Sequence, residues 1–325
     1  MIAPQHVLRS PAGEEILRVP YRISQPELEW CLVTAIRTVD PDFRWELPEG
    51  AQPPKRLVME GVALGPASPG DPPPDHAEVE ELIKTIRAVK KPWTRVEDVR
   101  RLMLSPEKKA VEYIGDLLTL LPDKADKLLA RHLGDLGRLA PPEYRKVVEE
   151  YLDADLAEVR IAAAVALEQI ADPKSTKALT RQWKRERDVA VRRELIHAIA
   201  RCAGDDRAAV KLVSTAAADS DEPDVQVSAV LAAADLSDAA AASEIVRTAL
   251  ASRDPGARRA GAWVAGHVGG GALKDALLEA RSVEEDPEAR AAMDLACDVL
   301  EGAAAQQKLE KLRRDLEPDA LDRVR

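Results

Sequence analysis

Apolar residues recur every three or four positions along most of the chain, the period of a helix with one buried face. The pattern predicts helices over Glu78–Val89, Pro106–Leu121, Lys124–Leu139 and Pro142–Leu152, the last opened by Pro141-Pro142. From Asp153 onward a longer period is superimposed. Small apolar anchors stand at Val159, Val191, Val225, Ala257 and Ala289, at steps of 32, 34, 32 and 32 residues. Each follows an aspartate (Asp155, Asp188, Asp221, Asp254, Asp286) suited to accept hydrogen bonds from the free N–H groups of a helix start. Pro255 and Pro287 come directly after theirs, where proline suits the first turn. In the first unit Val159, Ala163, Ala166, Leu167 and Ile170 then mark one helix. Breaks at Ala171-Asp172-Pro173, Gly204-Asp205, Ser237-Asp238 and Gly269-Gly270 separate it from a second helix, such as KSTKALTRQWKRE or SEIVRTALAS.

Five such helix pairs predict an all-α array over 153–325, with 76–152 as degenerate helical repeats extending it toward the N-terminus. Alanine supplies 41 of the 153 residues from Asp153 to Ala305, which favours helix and lets neighbouring helices approach closely. One pair alone cannot bury its apolar face, so the pairs must stack. The tail Gln306–Arg325, with Leu309, Leu312 and Leu316 at helical spacing, reads as a capping helix or as a short partner-binding or dimerising one.

Residues 1–75 differ and predict a small mixed α/β module. Glu15–Ile23 and Lys55–Leu64 have short alternating patterns consistent with strands, and Ser24-Gln-Pro-Glu27 resembles a capping box opening a helix over Glu27–Val39. Gly65–Pro74 is a stiff proline-rich linker.

The repeated units resemble the HEAT-repeat superfamily, in particular the short HEAT-like repeats of the phycobilisome-lyase type. Val159, Arg160, Ala163, Ala166, Leu167 and Ile170 carry the resemblance best; Val191 with Arg192 and Ala257 with Arg258 carry part of it, and Gln226 departs from it where an arginine is expected. The resemblance implies a HEAT-like α-solenoid, a right-handed superhelix of helix pairs. It covers about half the chain and specifies no function.

Composition narrows the choices. Aromatics are 3% of residues with one phenylalanine, too few for the core of a barrel or sandwich. No apolar run reaches the roughly 18–20 residues that span a bilayer, and the opening MIAPQHVLRSPAGEE has no signal-peptide pattern, so a cytoplasmic location is expected. Cys31, Cys202 and Cys297 are odd in number and far apart, which fits a reducing compartment. The wealth of Ala, Arg and Pro suggests a high-GC bacterial source. The net charge of −10 is concentrated: Asp205–Glu301 holds nine Lys/Arg against nineteen Asp/Glu. That half would repel nucleic acid and anionic membranes and favours a partner with a basic surface.

Candidate chemistry is sparse. There is no Gly-x-Ser-x-Gly, no Walker loop and no dinucleotide fingerprint, so no cofactor is expected. Iron-binding HEAT-like hydroxylases carry His-Glu dipeptides, and this chain has none, so His197 and His267 read as structural or surface residues rather than metal ligands. Cys202 and Cys297 read as small buried thiols. Arg160, Arg192, Arg258 and Arg290 are expected to form a ladder with aspartates, Asp188, Asp254 and Asp286 being the candidate partners. One cluster opposes the acidic trend: Lys174–Arg193 holds eight Lys/Arg against Glu186 and Asp188, with Trp183 inside it. Either Trp183 packs between repeats beneath solvated cations, or Trp183, Arg181, Lys184 and Arg185 mark a partner-docking surface; a nucleic-acid site is the weakest reading. The expectation is a non-enzymatic scaffold or adaptor for a protein partner. A bilin lyase or isomerase subunit and a HEAT-like DNA-repair protein remain the alternatives.

Overall fold

The computed structural model describes residues 5–9, 15–20, 24–39, 43, 47, 50–53, 71–121, 126–218, 221–302 and 305–317. It divides into two compact units, Met1–Ser105 and Pro106–Arg325.

In the first unit, strands β1 (Gln5–Arg9) and β2 (Glu15–Pro20) pair antiparallel with Leu8 opposite Leu17. Helix α1 (Gln25–Val39) follows. Its start carries half of the expected capping box: the Ser24 backbone N–H and hydroxyl both donate to Glu27 Oε2, at 2.7 and 2.8 Å. Ile16, Leu17, Trp30, Cys31 and Ala35 form a small core between the hairpin and α1. Burial pushes the Cys31 thiol up to about 11, so it is an inert packing group. Helices α2 (His76–Arg87) and α3 (Val96–Met103) pack on each other and bury Val79, Ile83, Ile86, Val99, Leu102 and Met103. Arg101 links them through paired hydrogen bonds to Glu78 at 2.6 and 2.9 Å.

The strand predicted at Glu15–Ile23 is seen as β2 over Glu15–Pro20, residues 21–23 lying outside the described residues, and its partner is β1, which the pattern did not announce. Lys55–Leu64 and most of the proline-rich stretch lie outside the described residues. The division at Ser105 groups α2 and α3 with the N-terminal unit, where the sequence pattern suggested a boundary near residue 75.

The second unit is all helix among its described residues. It runs α4 (Lys108–Thr119), α5 (Asp126–Leu139), α6 (Arg145–Glu149), α7 (Ala157–Ile170), α8 (Thr176–Trp183), α9 (Val189–Cys202), α10 (Arg207–Ala218) and α11 (Pro223–Ala232). It continues through α12 (Ala239–Leu250), α13 (Pro255–Val268), α14 (Gly271–Val283), α15 (Pro287–Leu300) and α16 (Gln306–Leu316). Short 3-10 turns precede α6 and α8 and follow α11.

The first helices α5, α7, α9, α11, α13 and α15 stack each on the next in one layer, while α8, α10, α12 and α14 each pack on the first helix that follows them. This explains the alanine. A first helix has a first-helix neighbour on either side and a second helix behind, so most of its circumference is buried. In α7 eight side chains are buried, five of them within the Ala162–Ala166 run. The helices approach so closely that a Cβ on Gly137 of α5 would lie 2.7 Å from the Ala166 Cα of α7.

Asp188, Asp254 and Asp286 cap α9, α13 and α15 as the pattern predicts, accepting from the N–H groups of Val191, Ala257 and Ala289 at 3.1, 2.7 and 2.8 Å. Two of the five expected caps differ. The residue before α7 is Leu156 and that before α11 is Glu222, neither with a side-chain cap bond. Helix α16 leaves the pairwise order: after Gly302, in a left-handed turn (φ +86°), it lies across the first-helix layer on α13 and α15.

Candidate functional site

The recurrent arginines make a ladder, but their carboxylate partners are glutamates. Arg160 bonds Glu186 through Nε and Nη2 at 2.7 and 3.1 Å, and its Nη1 donates to the carbonyls of Ala154 and Asp155. Arg258 repeats the arrangement with Glu284 at 2.6 and 2.9 Å and with the carbonyls of Ser252 and Arg253. Asp188, Asp254 and Asp286 are therefore not the hydrogen-bonding partners expected. Their carboxylates face the N–H groups of the opening turn, and before Asp188 and Asp286 the glutamate two residues earlier (Glu186, Glu284) reaches the arginine of the preceding unit. Asp254 and Asp286 still help raise the Arg258 pKa through space, after the larger effect of the Glu284 hydrogen bond.

The third link is looser. Arg192 pairs with Glu222 through Nη1 alone, and its Nε, buried, has no hydrogen-bond partner among the described residues. At Gln226, where the arginine is missing, the side-chain amide donates to the carbonyls of Ala217 and Ala218 at 3.1 and 3.3 Å. Glutamine thus does the loop-holding half of the work and omits the carboxylate half. Arg290 donates to the Glu284 carbonyl.

Trp183, Arg181, Lys184 and Arg185 sit at the end of α8 and just after it. They do not form one patch. Residues four apart share a helix face and residues two apart do not, so Arg181 and Arg185 line a groove of about 470 Å³ with Glu149, Glu150 and Asp153. Arg185 is 3.7 Å from Asp153 there and donates to Gln182 at 2.9 Å. Trp183, half-buried, faces a second cavity of about 430 Å³ lined also by Arg192, Leu212, Thr215, Asp221 and Glu222. The Arg192 guanidinium lies 4.6 Å from the indole centroid, a cation–π contact that fixes the ring at the cavity mouth. Lys184 is exposed.

A second cluster lies on the first-helix layer. Glu317, directly after α16, enters it and is 5% exposed. Its Oε1 accepts from Arg193 Nε and Nη2 at 3.2 and 3.0 Å and from the Ser228 hydroxyl; its Oε2 is 2.7 Å from His197 Nε2 and 3.2 Å from Arg313 Nη2. Burial opposes ionisation of Glu317, but His197, Arg313 and the Ser228 hydroxyl outweigh it and hold the carboxyl well below its usual range. Burial likewise opposes charge on His197, yet Glu317 and then Glu168 raise it to about 9, so it is an imidazolium at neutral pH. Burial raises the nearby Glu168 carboxyl, with His197 offsetting only part of that. Glu168, His197 and Asp235 could offer three metal-ligand atoms, all within 4.8 Å of one another. A cation there would have to displace the His197 proton beside two arginines. His267, read with His197 as a pair, lies elsewhere: it is exposed and stacks on Trp263 at 4.7 Å.

The sequence reading missed this cluster, because its carboxylate comes from 120 residues beyond His197. The one local signal was Arg193 and His197 four apart on one face of α9.

The family model described as HEAT repeats matches residues 114–200, from within α4 to the end of α9. Those residues are HEAT repeats. The match takes in the degenerate α5–α6 pair, the first periodic unit and the first helix of the second, and the same layered packing runs on through α15 in an all-α, HEAT-like array. Curated protein sequences give no match. Among solved structures, the chain is similar to human deoxyhypusine hydroxylase in complex with glycerol, with 18% identity, 76% of this chain and 93% of that one covered, and a TM-score of 0.34. It is also similar to an engineered protein, with 22% identity, 69% and 96% covered, and a TM-score of 0.29. No activity follows from likenesses of that size. None of the described helices is long and apolar enough to cross a membrane.

Proposed function

We propose that the HEAT-like array is a scaffold that binds a protein partner, and that the α8 edge is its docking surface. The observation that carries this reading is Trp183, half-buried and braced by Arg192 at the mouth of the 430 Å³ cavity, with Lys184 exposed beside it in sequence and the exposed Arg181 and Arg185 on the other groove at the same end of α8. A tryptophan stacked under an arginine is the composition of an interaction hot spot. The cavity gives a partner side chain somewhere to go. The acidic Asp205–Glu301 segment beyond α9 supplies the complementary field for basic groups on the same partner.

The test is affinity capture with the full chain. Trp183→Ala combined with Arg185→Glu should reduce recovery of the partner at least severalfold while the circular dichroism stays helical. Undiminished capture would remove the α8 edge from the interface. The bilin-lyase alternative predicts a change in visible absorbance on co-expression with a bilin and an apo-phycobiliprotein; the scaffold reading expects none.

A further inference from the structure

We infer that the first-helix layer of the array holds a carboxylate-binding pocket formed by Arg193, His197 and Ser228, which Glu317 occupies here as an internal ligand. We further infer that the pocket receives an acidic amphipathic helix of a protein partner when α16 lifts away. This deepens the scaffold reading and rests on it, but it concerns a different face from the α8 edge.

Three observations support it. First, the donors belong to the array and the acceptor does not. Arg193 and His197 lie on α9 and Ser228 on α11, helices held by neighbours on both sides, and all three converge on one carboxylate. With Glu317 in place Arg193 is only 13% exposed and His197 6%, so a carboxylate that replaced Glu317 would meet the same nearly buried guanidinium, imidazole and hydroxyl. An ionised carboxylate satisfies all three donors at once, and charge-assisted hydrogen bonds of this kind favour it over a neutral acceptor.

Second, the helix that delivers the occupant is thinly packed. Among the described residues of α16 itself only Leu309 is buried, against Gly266 and Ala296; Leu312 and Leu316 are half-buried. By contrast α7 buries eight side chains. Few buried apolar contacts mean a low free energy of local opening. Gly302, with its left-handed turn, lies just ahead of the segment that would swing.

Third, the fit beneath α16 is incomplete. Trp263 is 5% exposed and its indole N–H has no hydrogen-bond partner among the described residues, while Arg313 of α16 only covers the ring at 5.7 Å. A buried donor left without an acceptor is uncommon in a finished interface. A ligand with an oxygen at that place would satisfy it.

The occupant's pattern specifies the partner: apolar residues at Leu309, Leu312 and Leu316, then the carboxylate of Glu317. The external ligand is thus an amphipathic helix with the same apolar spacing and an acidic residue after its last apolar one.

The probe is a fluorescein-labelled peptide of the sequence Gln306–Glu317, titrated into the full chain and followed by anisotropy. Wild type should bind it weakly, because its own segment competes. Glu317→Gln should tighten binding about tenfold or more, the factor expected if the closed form is populated at least nine-tenths of the time. Adding Arg193→Gln to that variant should abolish binding, as should a peptide ending in Gln. Affinity equal in wild type and Glu317→Gln, or indifferent to the terminal carboxylate, would overturn the proposal. Should the variants fold poorly, hydrogen exchange on the unaltered chain decides. Excess peptide should speed exchange over 306–317 and leave α13 protected; unchanged exchange would count against the pocket. Trp183→Ala with Arg185→Glu should bind the peptide normally, so failure at the α8 edge and failure here are read separately. If the full chain dimerises with concentration and the peptide blocks it, the pocket belongs to a second copy and the assignment to a different partner falls.

Discussion

His197 shows how much one residue's environment decides. In an exposed position it would be mostly neutral at pH 7.5, but between Glu317 and Glu168 it is charged there. Its folded-state pKa of about 9 lies above the unfolded value, so its contribution to stability is complete below about pH 6.5 and is lost as pH rises through about 9. Glu317 works from the other side: its pKa is depressed, so its contribution is present above about pH 4.3 and is lost in acid. Chemical denaturation from pH 6 to pH 10 should therefore show a decline in wild type that His197→Gln flattens; parallel curves would mean that the histidine is uncharged. Ala171 makes a different local point. It ends α7 in the left-handed conformation (φ 53°), where an alanine Cβ is strained. Ala171→Gly should stabilise the chain by about 0.5–1 kcal/mol, read as a higher urea midpoint with unchanged slope.

At the scale of the element, most of what the chain announces is helical. The 32-residue period was legible because aspartate caps and arginines are chemically loud against alanine, and five first helices begin within two residues of the expected place. The identity of the ladder's acceptors was not legible. Aspartate and glutamate stand two residues apart in the same loop, and only the backbone turn decides which faces the helix N-terminus and which faces the arginine of the preceding unit. Strand β1 escaped notice because QHVLR offers a single apolar pair. The glutamate links carry measurable weight. Glu284 is 4% and Arg258 17% exposed, so Arg258→Ala leaves a buried carboxylate short of its partner and should cost about 2–3 kcal/mol. The Arg258 hydrogen bond holds the Glu284 pKa down, so this contribution is present above about pH 4.5 and is lost as pH falls through the depressed value. The variant's deficit should shrink toward zero in acid; a constant deficit would place the effect in packing.

For the whole molecule, charge is the property most plainly written in the sequence and the one least tied to fold. A chain of net −10 whose basic residues cluster locally around α8 should not retain duplex DNA in a gel shift even at low salt. Retention that weakens steeply with salt would turn the α8 edge into a nucleic-acid site. The carboxylate pocket could not be foreseen at this scale, because its donors lie 89 to 124 residues before Glu317, which reaches them only once α16 folds back over the stack. A repeat pattern reports what each unit shares with the next, and the pocket is built from what they do not share.

The arginine–glutamate links have a consequence for how such a chain can change length. Each joint has its cation in one unit and its anion at the threshold of the following one, 26 residues on in both well-formed cases. A block excised from one arginine to the next and spliced in elsewhere would arrive with half a joint at either end, and both halves would find mates. Duplication or loss of whole blocks is therefore electrostatically silent, whereas a splice out of phase strands a guanidinium at one seam and a carboxylate at the other.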